Sequence, residues 1–138
     1  MERSLVLIKP DAMERGLAGA ILTRLQSEGL KLAALRMLRL DSDLAGRHYA
    51  VHKDKPFFKD LVDYITSTPI VAAVFTRDGA VERIRKAMGA TDPSKAAPGT
   101  IRQLYGVDIQ RNSTHASDSP ENAEKEIARF FKKSEIFE

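Results

Sequence analysis

Polar and apolar positions along the chain change period several times, and each change marks an element. Leu5 to Ile8 is a continuous apolar run stopped by Lys9-Pro10-Asp11, which predicts a buried strand carrying a lysine at its C-terminal end. Asp11, followed three residues later by Glu14, resembles a capping box with Asp in place of Ser or Thr. A helix is therefore expected from there to about Glu28, with Ile21, Leu22 and Leu25 on one face and Gly29 as its stop. Lys31 to Leu40 predicts a second strand, and its interspersed basic residues suggest one wet face. Two short helical patterns lie between Asp43 and Thr68, separated at Pro56. Ile70 to Phe75 is again uninterrupted and apolar, a third strand. Gly79 to Met88 reads as a helix with Val81, Ile84 and Met88 on one stripe. Ser119-Pro120 opens a last helix in which Ala123, Ile127, Phe130 and Phe131 recur at helical spacing. A fourth strand is expected in the region Val107 to Thr114.

This alternation suits an α+β fold of the ferredoxin-like, split βαβ type, a four-stranded antiparallel sheet covered by helices. A parallel doubly wound sheet is the alternative. The chain has 138 residues and shows no repeat, low-complexity tract or linker, so residues 1–138 are expected to form one domain. One segment fits no element. Gly89 to Gln110 contains Pro93, Pro98, Gly99 and Gly106, and a loop of that length is unusual unless it binds something or is disordered. Thr91, Lys95 and Arg102 within it weight the binding reading.

Composition narrows the class only a little. A hydrophobic content of 43% supports a core and argues against disorder. The net charge of +3 suits an anionic ligand and equally a merely soluble surface. The absence of cysteine removes disulfides, thiolate metal sites and cysteine catalysis. The apolar run at the N-terminus is too short for a signal peptide and no stretch approaches a membrane span. A cytoplasmic location is expected.

The densest chemistry lies in Arg111-Asn112-Ser113-Thr114-His115-Ala116-Ser117-Asp118-Ser119-Pro120, one histidine among short hydrogen-bonding residues. An imidazole serves near neutrality as nucleophile or proton carrier, and its neighbours can fix its tautomer. On these residues alone, a reactive histidine and an idle loop stand even. Neither of the usual backbone phosphate cradles, G-x-x-x-x-G-K-[ST] or G-x-G-x-x-G, is present. Any phosphate must then be held by side chains, with Lys9, Arg85, Thr91 and Arg102 as candidates; Arg offers a planar fork and a charge that does not titrate away. His48 and His52 stand four apart, but Tyr49 follows the first, where a zinc helix of the H-E-x-x-H type carries Glu. A triad of Ser117, His115 and Asp118 is disfavoured because residues so close in sequence seldom reach its geometry. The aromatic strand motif of RNA-binding sheets is missing, although Phe57 or Phe58 could stack on a base.

Taken together these residues resemble the nucleoside diphosphate kinase family over essentially the full length. Five blocks carry the likeness: Ile8-Lys9-Pro10-Asp11; Arg15-Gly16-Leu17; His48-Tyr49 with Lys55-Pro56-Phe57-Phe58; Pro98-Gly99-Thr100-Ile101-Arg102; and Arg111-Asn112 through His115, Ser117 and Asp118, with Glu124-Lys125-Glu126-Ile127. The resemblance implies a ping-pong phosphotransferase of broad base tolerance, in which His115 accepts the γ-phosphoryl group of a nucleoside triphosphate and hands it to a diphosphate. It implies Nδ1 as the attacking atom and Glu126 as the group that orients the ring. Lys9, Arg85 and Arg102 would grip phosphates, with Thr91 adding a hydroxyl. Asn112 and Lys9 match positions at the ribose and its 3′-hydroxyl, Phe57 matches the aromatic under the base, and Ile109 would face it. Tyr49 and Ser117 match positions beside the histidine. The resemblance also implies Mg2+ carried on the nucleotide phosphates rather than held by a protein metal site, and a homo-oligomer, hexamer or tetramer. Nucleoside tri- and diphosphates are the expected partners, with no membrane and no nucleic acid. The competing expectation is a nucleotide sensor or nucleic-acid partner of the same fold without turnover. Ala116 departs from the family's usual glycine after the histidine, which would strain the chain if that backbone needs φ > 0.

Overall fold

A computed structural model describes all residues, 1–138. Its four strands, β1 (Glu2–Ile8), β2 (Lys31–Leu38), β3 (Ile70–Arg77) and β4 (Thr114–Ala116), form one sheet in the order β2-β3-β1-β4. Every neighbouring pair is antiparallel. This is the ferredoxin-like α+β arrangement, and the parallel alternative is overturned by the strand directions.

The two central strands read as unbroken apolar runs because both of their faces are covered. Val6, Ile8, Ala73 and Phe75 face one core, where Ile21 and Leu25 of α2 (Ala18–Gln26) meet Ile84 and Met88 of α5 (Ala80–Met88). The alternate positions Leu5, Leu7, Ala72 and Val74 face a second core with Ile65 of α4 (Phe58–Ile65) and Ile127 and Phe130 of α7 (Pro120–Phe130). The remaining helices are α1 (Pro10–Glu14), α3 (Ser42–His48) and α6 (Ile101–Tyr105). Strand β2 is an edge, and it leaves Leu35 and Met37 52% and 65% exposed. No helix is long and apolar enough to cross a membrane.

Three local expectations are corrected. The helix foreseen over 11–28 is two helices, α1 and α2, separated by a turn in which Gly16 takes φ 69°. Asp11 caps nothing: Lys9 is the N-cap, Pro10 occupies the first turn, and the Asp11 carboxylate reaches the backbone N–H of Ser113 at 3.0 Å. The fourth strand begins only at the last residue of 107–114 and runs over Thr114–Ala116, three residues aligned with Ile8, Leu7 and Val6. Pairing to β1, rather than intrinsic propensity, makes that segment a strand. His115 therefore stands on the sheet.

The segment 89–110 is also less irregular than expected, holding a 3-10 turn at Pro93–Lys95 and the helix α6. Thr100 caps α6 by accepting the N–H of Gln103, whose side chain in turn accepts the N–H of Gly99. Gly89 closes α5 at φ 86°, and a Cβ there would lie 2.5 Å from Thr100 Oγ1. Only glycine permits that approach, which delivers the α6 guanidinium of Arg102 to the Gly89 carbonyl at 3.0 Å.

Candidate active site

A cleft of about 800 Å³ opens at the C-terminal end of β1, between β4, α3, α7 and the 89–112 segment. Lys9, Tyr49, Phe57, Arg85, Thr91, Arg102, Ile109, Asn112, His115 and Glu126 all line it. Segments far apart in sequence thus meet around one histidine. Ser117 does not reach the cleft wall; it is fully buried behind the histidine, with its hydroxyl donating to Glu126 Oε1 at 2.8 Å.

His115 is about one quarter exposed, and its Nε2 lies 2.9 Å from Glu126 Oε1. An ionised carboxylate only accepts, so Nε2 carries a proton, and in the neutral ring the lone pair is on Nδ1. Burial works against the charge on Glu126, yet the hydrogen bonds from His115 and Ser117, with the nearby imidazoles, hold its carboxyl below the usual range. The carboxylate is therefore ready to balance positive charge developing on the ring.

His48 was expected only as one of a weak histidine pair and in a family-like block, and its place against His115 was not foreseen. It is buried, and its ring meets that of His115 edge to face, centroids 4.6 Å apart at 82°. Tyr49 and Phe130 contact it from other sides at 5.0 and 5.6 Å. Burial, then the proximity of His115, pushes the His48 imidazole down to about 3. It stays neutral and packs as an aromatic wall rather than as half of a metal pair. His52 turns instead towards Phe57, centroids 5.6 Å apart, and nowhere do three or more metal-ligating side chains gather. No signal in the sequence marked His48 for this place, because only the packing of α3 against α7 creates it.

The opposite wall is cationic. Lys9 is buried, with Nζ donating to the Gln110 carbonyl at 2.7 Å and to Asn112 Oδ1 at 2.9 Å. Burial pushes its ammonium down to about 8; Asp11 opposes the shift and Arg102 adds to it. Asn112 donates its amide to the Thr91 carbonyl at 3.0 Å, so Lys9, Asn112 and Thr91 are a connected set. Arg102 reaches the carbonyls of Gly89 and Thr114, each at 3.0 Å, while its Nε–H is buried without a partner. Burial, reinforced by Arg85, pulls the Arg102 guanidinium down to about 10. Arg85 is exposed at the rim. At the mouth, Phe57 is 43% and Ile109 61% exposed, two apolar surfaces facing solvent where a flat ring system can lie.

Ala116 carries no strain. Its backbone belongs to β4 opposite Val6, and its methyl packs into the first core. The only non-glycine residue with positive φ is Ser113, at 76°.

Fold and cleft together set cationic and hydrogen-bonding side chains around a carboxylate-held imidazole, chemistry suited to an anionic ligand. The family model for nucleoside diphosphate kinase matches residues 2–136. A nucleoside diphosphate kinase of Dehalococcoides mccartyi is 58% identical over 136 residues, covering 99% of this chain and 96% of that one. The enzyme of Chloroflexus aurantiacus is 55% identical, over 99% of this chain and 91% of its own. Among solved structures, the Aquifex aeolicus nucleoside diphosphate kinase superposes with a TM-score of 0.95 at 46% identity, covering 98% of each chain. The Halobacterium salinarum nucleoside diphosphate kinase, solved in complex with CDP, gives 0.96 at 47% identity, over 99% of this chain and 91% of that one. The chain belongs to the nucleoside diphosphate kinase family. Its reaction is phosphoryl transfer between nucleotides, a reaction that in this family requires a divalent cation.

Proposed function

We propose that residues 1–138 act as one catalytic domain in which His115 carries the phosphoryl group in transit. Nδ1 attacks the γ-phosphorus of a bound triphosphate, the bond to the β,γ-bridging oxygen breaks, and the diphosphate leaves. A second diphosphate then attacks the phosphorus through its terminal oxygen and the N–P bond breaks. The Nε2 proton stays on the ring throughout, and Glu126 balances the imidazolium-like charge. The observation that carries this reading is the 2.9 Å contact of Nε2 with Glu126, which leaves Nδ1 as the free nitrogen of a histidine that shares its cleft with Lys9, Arg85 and Arg102.

The other roles follow from position. Lys9, Arg85, Arg102 and the Thr91 hydroxyl hold phosphate oxygens, and phosphoryl transfer depends chiefly on such positioning and charge neutralisation. Lys9 and Asn112 reach the ribose and its 3′-hydroxyl. The base lies between Phe57 and Ile109, and stacking without edge readout explains broad base tolerance. Tyr49 stands beside the histidine, its phenol pushed up to about 12 by burial and then by Glu126, so it remains a donor. Ser117 acts through Glu126.

The divalent cation we assign is Mg2+. The cleft supplies only scattered carboxylates, Asp118 and Glu126 among its lining, a donor set that suits an ion entering on the nucleotide phosphates and keeping several waters. When bound it neutralises phosphate charge. The proposed setting is the cytoplasm, with free nucleotides as partners.

Labelling tests the mechanism. Protein incubated with γ-labelled ATP and Mg2+, without a diphosphate acceptor, should take up an acid-labile, base-stable label that added diphosphate removes. A chelator should prevent uptake. A protein that transfers phosphate yet never holds such a label would overturn the covalent route.

The same reading includes a homo-oligomer, hexamer or tetramer. Leu35 and Met37 on the open edge strand β2 support self-association, since uncovered apolar edges are pairing surfaces. Light scattering should give the mass of four or six chains of 15.3 kDa. The mass of one chain would refute it.

A further inference from the structure

Ser113 is buried completely and sits at φ 76°, two residues before His115. The N–H of Thr114 donates to the carbonyl of Asn112 at 3.0 Å, closing a three-residue turn around Ser113. A positive φ at the centre of such a turn is the rare, strained form, and a non-glycine residue holds it only where its surroundings enforce it. The turn matters because of what leaves it. Asn112 goes one way, to Lys9 and Thr91; His115 goes the other, onto β4.

Two bonds hold the turn from the β1–α1 junction. The Lys9 N–H donates to the Ser113 carbonyl at 2.9 Å, and the Ser113 N–H donates to Asp11 Oδ2 at 3.0 Å. The other oxygen of Asp11 accepts the Tyr64 hydroxyl, and that hydroxyl accepts the Asp11 N–H at 2.8 Å. Tyr64 thus closes a reciprocal pair that leaves the carboxylate a single orientation. Its ring also lies under the Lys9 ammonium, 6.0 Å from the centroid. Burial, and then the bond to Asp11, push the Tyr64 phenol up, so it donates throughout the working pH range. Tyr64 stands in the last turn of α4, the helix whose N-cap is Phe57.

From this geometry we infer that Asp11 and Tyr64 form a positioning pair: the carboxylate, oriented by the phenol, locks the Ser113 turn and so sets the placement of His115 relative to Lys9 and Asn112. Neither side chain lines the cleft. Each acts through the turn. The inference rests on His115 being the phosphoryl carrier.

Tyr64→Phe and Asp11→Asn test it against the wild type in steady-state and single-turnover assays. Each single variant should lose about ten- to a hundredfold in kcat and in the rate of His115 labelling, the scale of a nucleophile misplaced by a fraction of an ångström to an ångström. KM should hold, and the loss should be the same for purine and pyrimidine substrates, since both half-reactions share one histidine. The double variant should lose little more than either single, because one pair is broken. Circular dichroism and thermal melts of each variant separate this effect from unfolding. Unchanged kcat in a folded Tyr64→Phe protein overturns the inference, as does a loss confined to KM or dependent on the base, which would place the effect at Phe57 through α4. Additive losses overturn it too. A wild type that carries no label on His115 is a different failure, that of the mechanism itself.

Discussion

His115→Ala is expected to lower phosphotransfer by at least about 10⁴-fold and to abolish labelling by γ-labelled ATP, because a covalent route loses its first acceptor outright. The structure offers no substitute nucleophile. His48 is the nearest imidazole, and its low value of about 3 keeps it neutral, which alone would make it reactive. Its Nδ1, however, is buried, and its ring stays held by Tyr49 and Phe130 when His115 is removed, so it is not turned out towards a phosphate. Ser117 faces Glu126 and is sealed from the cleft. The Tyr49 phenol, at about 12, holds its proton. What remains in the variant is a cationic cleft that still binds nucleotide, so equilibrium binding of a diphosphate should persist within a few-fold while turnover disappears. Residual labelling at the wild-type rate would move the nucleophile elsewhere.

How far this site was readable in the sequence depends on what kind of force places each residue. Strands β1 and β3 were plain because both faces are buried, so local composition and tertiary environment agree. Lys9 was placed at a strand end by the same run. Strand β4 was not plain: Thr114-His115-Ala116 has little strand character of its own and is extended because it pairs with Ile8 to Val6. The helix α6 was signalled by Thr100 with Gln103 three residues on, a capping pattern, but the prolines and glycines around it masked the signal. Asp11 and Glu14 imitated such a pattern where none operates, because the carboxylate bonds across the fold to Ser113 rather than to its own helix. His48 and Ser113 were visible as residues, but their structural roles were not. One is defined by the contact of two helices, the other by a backbone angle that no residue type announces.

Replacing Lys9 with Gln should cost about 10²- to 10³-fold in kcat/KM, the usual loss when one preorganised cationic or oxyanion donor is taken from a desolvated site. The glutamine amide can still donate to Gln110 or Asn112, so the test removes charge more than packing. Lys9 also sets a pH dependence whose sign is fixed by its environment. Burial brings the ammonium from the ordinary 10.5 to about 8, so the free protein loses this charge as pH rises through that value. The alkaline limb of kcat/KM should therefore fall near pH 8 in the wild type. Bound phosphates favour the protonated form, which moves the corresponding limb of kcat to higher pH. Stability runs the other way. Because the folded-state value lies below the unfolded one, the unfolded chain holds more protons at this site between about 8 and 10.5, and the contribution of Lys9 to folding becomes more favourable as pH climbs through that window. Activity and stability thus diverge above pH 8 for one physical reason, an ammonium held dry until a phosphate arrives. Lys9→Gln should flatten both the kcat/KM limb and the alkaline rise in stability, read from pH–rate profiles and denaturant titrations. A variant that keeps the wild-type limb near pH 8 would show that another group governs it.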